Sequence, residues 1–304
     1  MRILISGSSG LIGTEMVRAL TTRGDSVLRL VRRGPARAGT TVLWDPGAGK
    51  LDPREVEGVD AVLNLSGENI GGGRWTRERK RRILESRVRS TSLLASTLAR
   101  LDRRPQVFVS ASAMDYYGDR GDDPLTEEAP PGAGFLSDVV TAWEQAADPA
   151  RQAGIRVAHP RSAMVLSGKG GALAPLLRAF RLGLGGPMGS GRQFWSWIAI
   201  QDVVSALQLL IDRADLSGPF NLASPAPARQ REFASTLGRV LGRPAFLPAP
   251  GWGLRILLGE MAGPLLLHSK RLVPARLQSA GYRFVHPELE SALRAAIEED
   301  GGGG

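Results

Sequence analysis

The first thirteen residues constrain this chain more than any other stretch. Met1-Arg2-Ile3-Leu4-Ile5-Ser6 reads as a short buried β-strand, and Gly7-Ser8-Ser9-Gly10-Leu11-Ile12-Gly13 follows at once. Helical spacing then runs from Thr14 to Arg23. A strand that enters a glycine-rich turn opening a helix is a phosphate cradle. Gly7 permits the tight turn, Gly10 lets a pyrophosphate approach bare backbone, and Gly13 lets the helix pack close to the sheet. Ser9, Leu11 and Ile12 supply the remaining backbone, and the positive end of the helix dipole holds the anion. Glycine spacing alone says little where 38 of 304 residues are Gly. The strand before it and the helix after it are what make the pattern point to a dinucleotide.

Downstream, strand and helix alternate. Strands are predicted at Ser26–Val31, 60–65 (ending in Ser66-Gly67), 106–110 and 155–158. Helices are predicted over 76–101, with Thr76 as N-cap, and from 134 or 135 to 153, closed by Gly154. Strands separated by helices indicate right-handed βαβ units and a parallel sheet. The fold class read from this is α/β: a Rossmann-like doubly wound parallel sheet with a smaller, mainly helical C-terminal substrate region. Residues 1–165 form the dinucleotide-binding part, with 195–225 returning to it and a last strand at 219–222. Residues 166–300 form the smaller substrate-side region, with helices at 173–182, 203–211, 232–241, 254–261 and 287–297. Gly301–Gly304 reads as a disordered tail.

Composition removes several chemistries. Without cysteine there are no disulfides, thiolate nucleophiles or Cys-ligated metals. His159, His268 and His286 are too scattered for a histidine metal site, so no metal is expected. The first strand begins at residue 2, which leaves no room for a cleavable signal peptide. The stretch Trp252–Leu267 is broken by Arg255, Glu260 and Pro264 and is too short to span a bilayer. These features read as a cytoplasmic protein without a membrane partner. The net charge of +9 raises nucleic acid as a partner. The densest basic run, Arg77–Arg82, lacks aromatic interleaving and reads as a solvated helix face, so no specific nucleic-acid binding is expected.

The motifs resemble those of the extended short-chain dehydrogenase/reductases, and more narrowly their atypical branch, an NAD(P)-dependent sugar-nucleotide epimerase family with a C-terminal domain of unknown function. The matching stretches are Gly7–Gly13, Asn64–Ile70, Arg74-Trp75-Thr76, Ser86-Arg87-Val88, Ser110–Gly118, Phe135-Leu136, Trp143-Glu144, Gly189–Gln193, Gly242-Arg243-Pro244 and Pro274–Leu277. They span essentially the whole chain. The resemblance implies a Rossmann fold, NAD(P) binding and a small substrate domain, with Leu65, Ser66 and Gly67 beside the cofactor. This chain departs from the branch in having Asp115 for Gly, Ala199 for His, and Arg161-Ser162-Ala163 for Arg-Thr-Gly.

The choice of cofactor turns on the end of the second strand. NAD sites usually place an acidic residue there, about 20 residues past the glycines, for the ribose hydroxyls. Arg32-Arg33 stands there instead, and Asp25 comes too early. A guanidinium matches a 2′-phosphate in charge and in bidentate geometry, which favours NADP. A solvated pair of arginines leaving a strand is the alternative.

Typical short-chain reductases carry Tyr-x-x-x-Lys, in which the ammonium lowers the phenol pKa. Here Tyr116, Tyr117 and Tyr282 are followed four residues on by Arg120, Gly121 and His286. Alignment on Glu144 puts Leu136 and Val140 at the usual Tyr and Lys positions. Two readings follow. One is an NADP-dependent oxidoreductase or epimerase-like enzyme whose proton donor comes from Ser110, Ser112, Tyr116 or Tyr117. The other is a non-catalytic NADP(H)-binding redox sensor or interaction module. The substrate is expected to be a small molecule, anionic or neutral, met by Arg87, Asp115, Arg192 and Trp195. The loop 185–191 before Arg192 resembles the substrate loop of nucleotide-sugar enzymes. Asp202 reads as a helix cap, and Asp122-Asp123 and Glu127-Glu128 as loop-solvating pairs.

Overall fold

The computed structural model describes residues 1–34 and 39–301. β1 (Arg2–Ser6) feeds α1 (Leu11–Thr22), which returns to β2 (Ser26–Val31) and β3 (Thr41–Leu43). After the single turn α2 (Pro53–Val56) come β4 (Ala61–Asn64), the long α3 (Arg77–Leu98) and β5 (Val107–Ser110). Two short strands follow, β6 (Ser112–Ala113) and β7 (Pro124–Leu125), then α4 (Phe135–Gln145), α5 (Asp148–Gln152) and β8 (Arg156–Ser162). Next are β9 (Met164–Leu166), α6 (Leu173–Arg181), β10 (Phe194–Trp195), β11 (Trp197–Ala199), α7 (Ile200–Asp212) and β12 (Gly218–Leu222). The chain ends with β13 (Ala228–Arg229), α8 (Gln230–Leu241), α9 (Gly251–Leu258), β14 (Arg271–Leu272), α10 (Ala275–Ser279) and α11 (Leu289–Gly301).

The main sheet has the order β12-β8-β5-β4-β1-β2-β3, with every neighbour parallel. The chain walks outward from β1 to β3, crosses back to β4, and walks outward the other way. The reversal lies between β1 and β4, where open α/β sheets hold ligands. The sheet is apolar on both faces because helices cover both. Ile3, Ile5, Val107, Val109 and Phe220 meet Met16 and Leu20 of α1 and Val203, Leu207 and Leu210 of α7. The intervening Leu4, Val62, Phe108 and Val157 meet Leu94 and Leu98 of α3 on the opposite face. Strand alternation makes this division.

The helix expected over 134–153 is two helices, α4 and α5. Pro149 has no N–H to donate to residue 145 and its ring would clash with that carbonyl, so it serves as a first-turn residue of α5. The expected strand at 155–158 continues to Ser162 and carries His159 and Arg161 into the sheet. The helix expected over 254–261 starts earlier and stops at Leu258, where Gly259 turns the chain with φ 64°. Thr76 caps α3 as expected, its side chain accepting from the Arg79 N–H. Of the expected tail, Gly301 closes α11, and residues 302–304 lie outside the described residues. No helix among the described residues is long and apolar enough to cross a membrane.

The later segments form their own core, in which α6, α8 and α11 surround Trp195, Trp197 and Phe233. This core is tied to the sheet side by β14, which pairs with β7, and by Asp202. Asp202 is not a cap; Ala199 holds the N-cap position of α7. Its buried carboxylate accepts from the Tyr282 hydroxyl at 3.0 Å, the Val285 N–H at 2.7 Å and the His286 N–H at 3.0 Å. Replacing it strands the Val285 and His286 N–H groups, while the Tyr282 hydroxyl keeps the Asp202 carbonyl and Ser205. Asp202→Ala should therefore lower stability by about 2–4 kcal/mol, and Tyr282→Phe by about 1 kcal/mol. Urea unfolding checks this as a fall in midpoint at constant slope.

Candidate functional site

Three glycines bring backbone against backbone at the β1/β4 reversal. Gly7 has φ +69°, and a Cβ on it would stand 2.7 Å from the Leu65 carbonyl oxygen. A Cβ on Gly13 would stand 2.2 Å from the Gly7 oxygen. The turn after β1, the start of α1 and the Leu65–Gly67 segment after β4 are thus in direct contact. Gly10 occupies the N-cap position of α1, and no side chain caps the helix. The result is a bare-backbone cradle at a positive helix end, a surface suited to a pyrophosphate. Ser9 and Gly10 are exposed, Leu11 and Ile12 partly so.

A hollow of about 550 Å³ starts at Ser8, Ser9 and Thr14 and reaches Arg18 and Arg29. A second, of about 650 Å³, runs along β2 to Arg33, Gly34 and Gly39. Arg32 and Arg33 are exposed where the chain leaves β2. Under the cradle a buried chain of hydrogen bonds locks the strand ends. Ser6 Oγ donates to Asn64 Oδ1 at 2.6 Å, and Asn64 Nδ2 donates to Thr91 Oγ1 at 2.8 Å. Trp143 Nε1 donates to the same hydroxyl at 2.9 Å.

The carboxyl end of β5 carries a second network. Arg161, 3% exposed, clasps Glu144 with Nε and Nη2, each at 2.8 Å. Ser112 Oγ donates to Glu144 Oε1 at 2.6 Å. Arg161 Nη1 donates to the Tyr117 hydroxyl at 3.0 Å, and that hydroxyl donates to Asn221 Oδ1 at 2.7 Å. Glu127 is buried too, accepting from the Asn221 and Arg276 N–H groups, so it holds strand ends together instead of solvating a loop. Asp122 matches the surface expectation only partly, since it pairs with Arg229. Tyr116 and Tyr117 lie on a 3-10 turn over Met114–Tyr117. The Arg161 guanidinium sits 3.5 Å above the Tyr116 ring. Burial pushes the Tyr117 phenol up to about 12, against the opposing charge of Arg161. The Tyr116 ring is partly exposed, and its hydroxyl has no hydrogen-bond partner among the described residues. Ser110 Oγ is sealed off without a partner among them.

Facing this network is a cluster of three charges. Lys270 Nζ donates to Asp115 Oδ1 at 2.6 Å and to the Pro264 carbonyl at 2.8 Å. Arg87, on α3, packs over the Trp143 ring at 5.1 Å and against Gly67, where a Cβ would come within 3.1 Å of Cζ. Burial brings its guanidinium down to about 10, opposed by the charges of Asp115 and Glu68, so it stays protonated at neutral pH.

The family model described as NAD dependent epimerase/dehydratase family matches residues 3–223. The chain belongs to this family. A further model, for a domain of unknown function (DUF1731), matches residues 249–296. Epimerase family protein Mb2239 of Mycobacterium bovis is 40% identical over 299 residues, 98% of each chain. Human epimerase family protein SDR39U1, solved with NADPH, is 34% identical with a TM-score of 0.88, over 98% of this chain and 99% of that one. A nucleoside-diphosphate sugar epimerase from Corynebacterium glutamicum gives 34% identity and a TM-score of 0.80. That match covers 99% of this chain but 58% of that longer one.

Within this epimerase/dehydratase framework, the expected site residues divide. The structure brings Gly7–Gly13 and Leu65–Gly67 into one surface, and Arg87 and Asp115 into one cluster. Leu136 and Val140, the residues expected at the usual Tyr and Lys positions, are 5% and 3% exposed. Trp195 is 7% exposed, packs on Phe233 and donates its indole N–H to the Leu266 carbonyl. Trp195 on β10 and Trp197 on β11 share the same apolar core. The glycines of 185–191 are occupied by packing: a Cβ on Gly186 would stand 2.0 Å from the Leu247 oxygen. Arg192 is exposed beyond them. Of the basic run, Arg77, Arg81 and Arg82 are exposed, while Arg79 bonds the Asn69 carbonyl and Lys80 pairs with Glu260. Lys270 and the role of Arg161 had no local signal. Lys270 meets Asp115 across 155 positions. One hint existed: only Lys50, Lys80, Lys169 and Lys270 are lysines in an arginine-dominated chain.

Burial pushes the Glu144 carboxyl up, but the Arg161 bonds and charge, with His159 and the Ser112 hydroxyl, outweigh it and hold the carboxyl below its ordinary 4.5. A depressed folded-state pKa gives stability that is present above the unfolded value and lost as pH falls through the folded one. Arg161→Met should cost about 3–5 kcal/mol at pH 7 by leaving a buried carboxylate unpaired. Arg161→Met/Glu144→Gln should cost less and lose less stability between pH 5 and pH 3. Urea titrations across that range measure both effects.

Proposed function

We propose that this chain is an NADP(H)-dependent oxidoreductase or epimerase-like enzyme acting at a carbinol or carbonyl carbon of a small molecule. The observation that carries the reading is the backbone cradle at the β1/β4 reversal, followed by two exposed arginines where β2 ends. Gly7, Ser9, Gly10, Leu11, Ile12 and Gly13 would hold the pyrophosphate, with Leu65, Ser66 and Gly67 flanking the cofactor. Arg32 and Arg33 would meet the 2′-phosphate. The solved human relative bound to NADPH supports this assignment. When bound, the cofactor supplies the hydride chemistry.

The protein must then handle the proton. Leu136 and Val140 have no ionisable group, so the donor comes from the Ser110–Tyr117 segment beside the cradle. Ser112 is engaged by Glu144 and Tyr117 by Asn221 and Arg161. Tyr116 combines a partly exposed ring, a hydroxyl without a hydrogen-bond partner among the described residues and a guanidinium 3.5 Å above its face. It is our choice of proton donor. The apolar Leu136 and Val140 also support a second reading, a non-catalytic NADP(H)-binding module. We place the protein in the cytoplasm and propose residues 1–165, with 195–225 returning, as the dinucleotide-binding part.

NADPH should bind more tightly than NADH. Arg32→Ala or Arg33→Ala should weaken NADPH by roughly ten- to a hundredfold, the worth of a charged hydrogen bond, and leave NADH unchanged. Equal affinity of the parent for both cofactors would defeat the assignment. In a substrate screen following NADPH absorbance, Tyr116→Phe should slow turnover by a factor of roughly 10²–10⁴ at unchanged NADPH affinity. Full activity in Tyr116→Phe moves the donor elsewhere, and tight NADPH binding without any turnover selects the module.

A further inference from the structure

The cluster of Arg87, Asp115 and Lys270 is built from three distant parts of the chain and is only half satisfied. Arg87 lies on α3, Asp115 on the turn after β5, and Lys270 just before β14. Lys270 and Asp115 are 3% and 8% exposed. Their ion pair gains little as a stabiliser, because desolvating two charges offsets most of their attraction and an apolar pair would serve as well. Its partners are also incomplete. Lys270 uses two of its three N–H groups. Asp115 Oδ2 has no hydrogen bond among the described residues, and it is not among the sealed-off partnerless atoms. Arg87 donates only through Nη1, to the Ile83 carbonyl at 3.1 Å. Its Nε and Nη2 are open in the same sense. The guanidinium packs against both Gly67 and the Trp143 ring.

We infer that this cluster recognises a small hydroxy acid or its keto form, Arg87 taking the carboxylate and the Asp115–Lys270 pair taking the adjacent oxygen. The inference rests on the proposed function for the reaction it would serve. The net charge of the three groups is +1, and Glu68, whose charge also reaches Arg87, is itself paired with Arg79, so the cluster suits an anion. A carbinol hydroxyl is a donor that Asp115 Oδ2 can accept. A carbonyl oxygen is an acceptor that the unused Lys270 N–H can meet. A carboxylate beside an ammonium therefore offers a partner to both redox states of the same carbon. Gly67, in the segment that abuts Gly7 through Leu65, places Arg87 at the sheet edge that carries the glycine cradle.

Calorimetric titration of the full chain, with and without saturating NADPH, tests the inference with three probes: malate, succinate, which lacks the hydroxyl, and uncharged 1,2,4-butanetriol. Malate should bind at least about tenfold more tightly than succinate, and butanetriol should not bind. Arg87→Met should weaken malate about tenfold or more while NADPH affinity holds. Asp115→Asn alone strands a buried ammonium, so Asp115→Asn/Lys270→Met is the informative variant, and it should bind malate no better than succinate. Equal binding of malate and succinate by the parent, or unchanged malate binding in Arg87→Met, would overturn the inference. So would a parallel loss of NADPH in Arg87→Met, since the guanidinium would then serve a cofactor phosphate. If the parent fails to bind NADPH, the proposed function falls, and the malate series without cofactor still decides this inference.

Discussion

The carbonyl oxygen of Gly7 is the point about which this molecule is arranged. Helix α1 approaches it so closely that any side chain at residue 13 would overlap it. The approach brings α1 hard against the sheet and leaves the first N–H groups of the helix facing outward at the β1/β4 reversal. Gly7 in turn abuts the Leu65 carbonyl, so the loops after β1 and β4 form one continuous backbone surface. Beneath it, the Ser6–Asn64–Thr91–Trp143 hydrogen bonds fix the two strand ends and α3 to each other. An anion-binding surface made of backbone needs this rigidity, because a backbone dipole cannot reorient as a side chain can.

A second layer of polar contacts decides what sits opposite the cradle. Arg161 enters the sheet on β8 and joins Glu144 of α4 to Tyr117 after β5. Asn221 and Glu127 extend the network to Arg276 in the C-terminal part. Every member is held by charge-assisted or buried hydrogen bonds, which lose their value if one partner leaves. The network therefore works as a positioning frame. It orients the Met114–Tyr117 turn, which carries Asp115 and Tyr116 to the edge of the sheet. Leu136 and Val140, expected from the sequence at the usual phenol and ammonium positions, are buried. The charged groups near the cradle come instead from α3, the turn after β5 and the C-terminal part.

The fold was legible in the sequence because its determinants are local. Alternating apolar residues make strands, 3.6-residue spacing makes helices, and three glycines at fixed offsets make the cradle. Each depends on neighbours within a few positions. Where local reading failed, a nonlocal or single-residue effect was responsible. Pro149 split one helix, and Gly259 ended another. Asp202 looked like a helix cap and Glu127 like a loop-solvating carboxylate until chain segments 83 and 94 positions away supplied their donors. Trp195 looked like a pocket residue and is core, because Phe233 and the Leu266 carbonyl close around it.

By itself, then, the sequence determined the parallel sheet, the glycine cradle, the arginines at the end of β2 and the lack of Tyr-x-x-x-Lys. These follow from short-range sterics, hydrogen-bonding capacity and residue identity. Only the tertiary structure decided which charges meet: Arg161 with Glu144, Lys270 with Asp115, and Arg87 beside Gly67. Pairing over such distances is set by how the helices and the C-terminal part pack on the sheet, and a one-dimensional pattern carries no record of that packing.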